Sequence, residues 1–304
     1  MSTSKLASIT TASFLLALQL AAAAPAADAK PDFPVTLKTA AGTITLTTRP
    51  SRIVSLSSTG TEDLFADGAG AQVVAVDSQS LVPKKAPHTS LSAFTPNAEA
   101  IANYRPDLVV VAFDQNKIVA ALKVLRIPVL LEPPAADLNG VYAQLEQLGQ
   151  ATGHLSQART LVSQLRARVT TIIHSVPRSS KPISVYHELG SDYYTATSNT
   201  FIGSVYKLLG LRNIADPAGK LSNYPKLSAE YIVAANPDLI VLADTTCCGQ
   251  SPATVAKRAG WSGISAIVRH QVVGVPDIQA SYWGPQIVDF MQTIANHIKA
   301  VIRG

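Results

Sequence analysis

The sequence predicts an α/β protein built as two similar parallel-sheet lobes joined by one long helix. Three observations carry this. First, the stretch from Ala98 to Ala112 aligns without a gap on Ala229 to Ala243, placing Glu99 on Glu230 and Pro106-Asp107 on Pro237-Asp238. Second, each copy reads as a short helix ended by its proline and followed by an apolar run, Leu108-Val109-Val110-Val111 or Leu239-Ile240-Val241-Leu242. A proline disfavours helix in the residue before it, and a strand buried on both faces of a parallel sheet shows no polar alternation. Third, between the copies, Ala158, Leu161, Val162, Leu165, Val169, Ile172, Ile173 and Val176 recur three or four apart from His154 to Val176. That is the pattern of one amphipathic helix, on the order of 34 Å long, and it predicts a rigid strut between lobes.

In chain order, Met1 to Ala29 carries one lysine, an apolar run from Ile9 to Ala24, and small-residue cleavage options at Ala22-Ala23-Ala24 or Ala27-Asp28-Ala29. This reads as a secretory signal peptide over 1–29, with the second option favoured because the first leaves Pro25 directly after the cut. The only cysteines are Cys247 and Cys248, far from either site, so a free periplasmic protein without a lipid anchor is expected. About 275 residues remain, enough for two domains with a core in each. The expected division is an N-terminal lobe over 33–137, a helical linker over 138–180 that contains the 154–176 helix, and a C-terminal lobe over 181–304.

Alternation around Ala40-Ala41-Gly42 predicts a hairpin from Phe33 to Leu46. Ile53 to Leu56 is a buried strand, and Thr59 and Glu62 stand at capping-box spacing in the helix that follows. Val73 to Val76 is the next strand, and a long proline-dotted loop runs from Asp77 to Pro96. Such loops are more often functional than structural. After the first repeat copy a helix is expected over Phe113 to Leu125 and a strand at Val129 to Leu131, with Pro133-Pro134 closing the lobe. The second lobe repeats the plan: strand Ile183 to Tyr186, loop His187 to Thr200, helix Phe201 to Leu209 and the second repeat copy. Loop Asp244 to Gln250, a helix near Ala253 to Ala259, strand Val272 to Val275, loop Asp277 to Gly284 and a last helix from Pro285 complete it.

The net charge of +5 is modest and spread without a lysine or arginine run, which disfavours nucleic acid as a partner. Adjacent cysteines cannot staple distant segments and read as free thiols in a loop. There is no Gly-x-Ser-x-Gly, His-Glu-x-x-His, Cys-x-x-Cys or complete Gly-x-Gly-x-x-Gly, so an exported hydrolase is the weaker reading and a non-enzymatic one the stronger.

The duplicated helix-Pro-Asp-strand unit, the run Pro50-Ser51-Arg52-Ile53-Val54-Ser55-Leu56 followed by Thr61-Glu62, and the single long helix between halves together resemble the substrate-binding proteins of ABC importers for cobalamin, ferric siderophores and haem. The resemblance covers Phe33 to Arg303 and is nearest to the cobalamin-binding branch. It implies two α/β lobes on a stiff interlobe helix, a ligand cleft between them, and delivery of a corrinoid chelate to a membrane permease. It also implies a monomer with no resident cofactor, the ligand itself being a metal chelate such as cobalamin. Glu99 and Glu230, one per lobe, resemble the family glutamates that pair with arginines on the two permease subunits; the rival reading is a glutamate that merely suits its helix dipole.

In open α/β sheets ligands lie beyond the carboxyl ends of strands, so binding residues are sought in the loops that follow them. Those loops hold Ser58, Thr59, Phe94, Phe113, His187, Tyr193, Tyr194, Asp244, Gln250, Tyr282 and Trp283. A broad planar chelate is gripped well by flat rigid side chains, which favours Phe94, Phe113, Tyr193, Tyr194, Tyr282 and Trp283. His187 is expected to face the cleft, and with Asp244 and Gln250 to hydrogen-bond the ligand rim. Few cations stand in these loops, Lys84, Lys85 and Lys117 among them, which tilts the ligand from an acidic siderophore toward a neutral chelate. Haem would call for an axial tyrosine or histidine, for which Tyr193, Tyr194 and His187 are the candidates.

Overall fold

The computed structural model describes residues 33–303; the expected signal peptide lies outside them. Val35–Thr39 (β1) and Gly42–Leu46 (β2) form an antiparallel hairpin in which Val35 faces Leu46 and Leu37 faces Ile44. Ile53–Leu56 (β3) leads into Ser58–Ala66 (α1), a 3₁₀ turn at Ala69–Gln72 and Val73–Val76 (β4). Ala98–Ala102 (α2), Leu108–Val111 (β5), Ile118–Val124 (α3) and Val129–Leu131 (β6) complete the first lobe. Leu138–Thr152 (α4) and Leu155–Ser175 (α5) then cross to the second. It consists of Ile183–Glu188 (β7), Phe201–Leu208 (α6), Leu211–Asn213 (β8), Ala229–Ala235 (α7), Leu239–Leu242 (β9), Pro252–Ala256 (α8), Ser265–Val268 (α9), Val272–Gly274 (β10), Asp277–Ser281 (α10) and Ile287–Arg303 (α11).

The duplication in sequence is a duplication in topology. One sheet has the order β4-β3-β5-β6 and the other β8-β7-β9-β10, both all-parallel, so each lobe places its own second strand, first, third and fourth side by side. The repeated Pro-Asp has a repeated task. Asp107 accepts hydrogen bonds from the backbone N–H and hydroxyl of Ser51 and from the N–H of Arg52, at 2.7 to 2.9 Å. Asp238 accepts from the N–H and hydroxyl of Ser184 at 2.9 and 2.7 Å. In both lobes the aspartate that opens the third strand thus fixes the start of the first, which sets the register of the central pair. Arg105 and Asn236, immediately before each proline, both take left-handed backbone (φ 48° and 45°) that turns the chain from helix to strand. Hydrogen bonds to a charged group contribute about 1.5–3 kcal/mol. Asp238→Ala is therefore expected to lower unfolding free energy in urea by about that amount, with Asp107→Ala costing as much in the other lobe.

The lobes share helices rather than touching only at a linker. Leu138, Val141, Tyr142 and Leu145 of α4 belong to the core of the second lobe, whereas Leu148 and Ala151 at its other end belong to the core of the first. Gly153, in left-handed backbone (φ 80°), ends α4, and α5 returns antiparallel to it. Along α5 the buried residues are Ala158, Val162, Leu165, Val169 and Ile172, a single stripe at helical spacing that packs on α4 and α11. The strut foreseen between lobes is therefore two helices, with α4 reaching into both cores.

Three local expectations are corrected. β7 continues through His187 and Glu188, so these are strand and not loop residues. The helix after β5 starts only at Ile118, because Asn116 and Lys117 are left-handed (φ 54° and 57°); Phe113 stays in the loop. The segment after β10 contains the short helix α10 at the place where a plain loop is expected. No helix among the described residues is long and apolar enough to cross a membrane.

Candidate functional site

In each sheet the connection from the first strand leads outward one way and that from the third strand the other way, so a crevice opens at the carboxyl ends of β3 and β5, and of β7 and β9. Around these ends the rings fall into two groups. Phe94 (67% exposed), Phe113 (47%) and Tyr194 (46%) present large faces to solvent. Leu81, Leu221 and Tyr224, in the corresponding loops of the two lobes, are exposed as well. A sequence of mixed loops gives no period from which such exposure can be read.

Ser58, Thr59, Tyr282 and Trp283 meet across the seam between lobes. The Tyr282 hydroxyl donates to the carbonyl of Gln79 at 2.9 Å, to which the Ser58 hydroxyl also donates at 3.0 Å. The backbone N–H of Trp283 donates to Thr59 Oγ1 at 3.3 Å, and its indole Nε1–H to Gln144 Oε1 at 3.0 Å. The turn after α10 thereby ties the second lobe to α1 and α4, and its two rings are half-buried.

His187 is fully buried rather than facing the cleft. Its Nδ1 lies 2.6 Å from the Tyr206 hydroxyl, and burial pulls its pKa down to about 4, so the ring is neutral at physiological pH. A polar residue at the end of an apolar run reads as loop; the tyrosine that makes its burial tolerable lies on α6, where sequence reasoning has no reason to look. Asp244 is buried as well, and both its oxygens lack a hydrogen-bond donor among the described residues. Burial, and then the neighbouring Glu188 carboxylate, push its pKa up to about 7.

Beside Asp244 stands a cluster that sequence reasoning misses. The Arg258 guanidinium donates Nη1–H to Glu188 Oε2 and Nη2–H to Glu188 Oε1, both at 2.6 Å, and Nη2–H to Gln250 Oε1 at 2.7 Å. It lies 4.7 Å from the Trp261 ring centroid and 5.4 Å from that of Tyr193, which stack on each other at 5.8 Å. Gln250 and Tyr193, expected to touch ligand, thus also hold Arg258. The signal available in sequence is Glu188 itself, an acid directly after a buried run that requires a cationic partner.

Glu99 and Glu230 are exposed in the first turns of α2 and α7, whose N-termini are capped by Asn97 (2.8 Å to the Ala100 N–H) and Ser228 (3.1 Å to the Tyr231 N–H). Hydrogen bonds from its own backbone N–H and from Ser228 hold the Glu230 carboxyl below its usual range.

The chain matches the description "Periplasmic binding protein" over residues 53–278. It belongs to that family. A cobalamin-binding protein of Halobacterium salinarum is 32% identical over 280 residues, covering 89% of this chain and 75% of that one. An uncharacterized ABC transporter substrate-binding lipoprotein of Bacillus subtilis is 30% identical over 314 residues, covering 97% of both. Among solved structures, the periplasmic haem-binding protein RhuT from Roseiflexus sp. RS-1 has the same fold, with a TM-score of 0.72, 24% identity, and coverage of 83% of this chain and 99% of that one. The chain is thus a periplasmic binding protein of the ABC importer type, a class whose members work with a membrane permease. The Bacillus relative is a lipoprotein, so release from the membrane is not a property shared by all its relatives.

Proposed function

We propose that this binding protein captures a corrinoid such as cobalamin between its lobes and delivers it to an ABC permease. The observation that carries the reading is the set of exposed rings, Phe94 and Phe113 on the first lobe and Tyr194 on the second, at the carboxyl ends where a planar chelate would lie. The cobalamin-binding relative supports the same ligand class. A neutral ligand is favoured because Arg258, beside the carboxyl end of β7, is committed to Glu188, and Lys226 is paired with Asp192 at 3.4 Å. Burial of His187 removes one axial candidate for haem, leaving Tyr194 as the exposed one. A ferric siderophore or haem is the alternative within the same fold and role.

Docking on the permease runs through Glu99 and Glu230 in this reading, with the protein acting as a monomer. Calorimetric titration with cobalamin, with haemin and a ferric siderophore as comparators, is expected to give saturable one-to-one binding to cobalamin, weakened by Tyr194→Ala. Binding to a comparator alone would move the ligand and keep the role; binding to none would overturn the transport reading.

A further inference from the structure

The seam between the lobes is acidic. On α1, Glu62 and Asp63 are both buried and both aimed at the turn 282–286. Glu62 Oε1 accepts the Gln286 N–H at 3.0 Å, while Glu62 Oε2 and Asp63 Oδ1 have no hydrogen-bond partner among the described residues. Gly284 is what lets the turn approach: a Cβ there would lie 2.8 Å from Glu62 Oε2 and 3.1 Å from Asp63 Oδ1. The charged and titratable groups around the pair are themselves acidic. Asp67 ends the same helix as its C-cap, Glu132 follows β6, Asp77 follows β4, Tyr282 comes from the turn, and Asp289 on α11 faces Glu62 while its other partner, Arg168 of α5, holds it at 2.6 Å. Among the described residues no three His, Cys, Asp or Glu side chains converge with the geometry to hold a metal ion. Buried carboxylates without a cation are neutralised by protons.

We propose that Glu62 and the turn 282–286 form a proton-operated latch between the lobes, closed while Glu62 carries a proton and loosened when it is ionised. Protonated, Glu62 accepts the Gln286 N–H through one oxygen and places no charge beside Asp63 and Asp289. Ionised, it is a dehydrated anion among acids, and separation of the turn from α1 lets water reach it. Burial is the main cause that raises its pKa to about 7; Asp63 is likewise raised well above its ordinary value, by burial and then by Glu62. The sign follows from linkage. The closed state binds the proton more tightly than the open one, whose Glu62 titrates near the ordinary 4.5, so the closed-to-open ratio falls as pH rises between about 4.5 and 7. Glu62 itself adds no dependence outside that window. The fall is about tenfold per pH unit within it.

Because the turn carries Tyr282 and Trp283, any ligand gripped there inherits the dependence; that consequence rests on the proposed cleft, whereas the latch does not. Glu62 is accordingly a positioning residue for the turn. Hydrogen exchange of the Gln286 amide in the ligand-free protein, corrected for intrinsic exchange, tests it at pH values from 5 to 8. Protection is expected to fall about tenfold per unit up to about pH 7 and to level off above. In Glu62→Gln, which keeps the acceptor and cannot ionise, protection is expected to stay high and flat, with strand amides such as that of Ile240 reporting that the fold is intact. Gly284→Ala, which pushes the turn off Glu62, is expected to show low protection even at pH 5. An unchanged slope in Glu62→Gln, or no slope in the parent protein, would overturn the latch. Since no ligand is present, either result stands apart from which chelate the cleft binds.

Discussion

Replacing Arg258 by alanine is expected to cost about 3–5 kcal/mol of folding stability, because it strands Glu188 as a fully buried anion. The fork geometry, two parallel bonds of 2.6 Å, gives the pair its orientation, and the Tyr193–Trp261 stack beneath the guanidinium excludes water from it. Removing the cation also leaves Glu188 beside Asp244, the acid whose pKa it already pushes up. A loss of that size is a large fraction of the 5–15 kcal/mol typical of a domain, so the urea midpoint should drop steeply. Two comparisons identify the cause. Adding Glu188→Gln to the Arg258→Ala protein is expected to restore most of the loss, since the penalty lies in the unpaired charge rather than in the missing contact. Arg168→Ala, which breaks an exposed bridge to Asp289, is expected to cost no more than about 1 kcal/mol. Equal effects of Arg258→Ala and Arg168→Ala would contradict the buried-pair account.

What could be read from the sequence and what could not divide along one physical line. β5, β9 and α5 are legible because their signals are local: an apolar run after a proline, or apolar residues three and four apart, fix the element whatever it packs on. The duplication is legible because Glu99-to-Asp107 and Glu230-to-Asp238 keep the same spacing. Features that depend on a distant partner are not. Glu188 and Arg258 are 70 residues apart, and nothing near either one announces the other. His187 reads as a loop residue because the Tyr206 hydroxyl that accompanies it into the core is on another element. β8 is a three-residue strand at the sheet edge with Arg212 exposed, too short to show any period.

The site divides in the same way. The strand-end rule selects the loops in which Phe94, Phe113 and Tyr194 stand exposed. It does not foretell that Thr59, Tyr282 and Trp283 also hydrogen-bond across the seam, since that requires the second lobe to be placed against the first. Glu62, marked in sequence by its capping-box spacing to Thr59 and by the Thr61-Glu62 pair, forms no cap, since Ser57 caps α1; it lies on that seam for the same reason: α1 brings it there, and the Gly284 turn closes over it.

Loss of both Glu99 and Glu230 is expected to abolish import while leaving ligand capture intact. The two carboxylates occupy equivalent positions on the two lobes, one in the first turn of α2 and one in that of α7, both exposed. A protein with a duplicated acidic knob suits a partner that offers two equivalent cationic sites. Close interfacial charge pairs couple by about 1.5–7 kcal/mol, and every 1.4 kcal/mol is about tenfold in affinity, so each single alanine variant should weaken docking at least about tenfold. The sites lie on different lobes and share no partner, so the losses should add in the double variant. Neither glutamate belongs to the seam or to the ring-bearing loops, and calorimetric affinity for the chelate should therefore be that of the parent protein. Uptake of labelled ligand in cells carrying the single and double variants, set beside those titrations, separates docking from capture. Opposite charge on the permease rescuing Glu99→Arg would locate the contact; undiminished uptake by the double alanine variant would place docking on another surface, and the two glutamates would then serve only their helix termini.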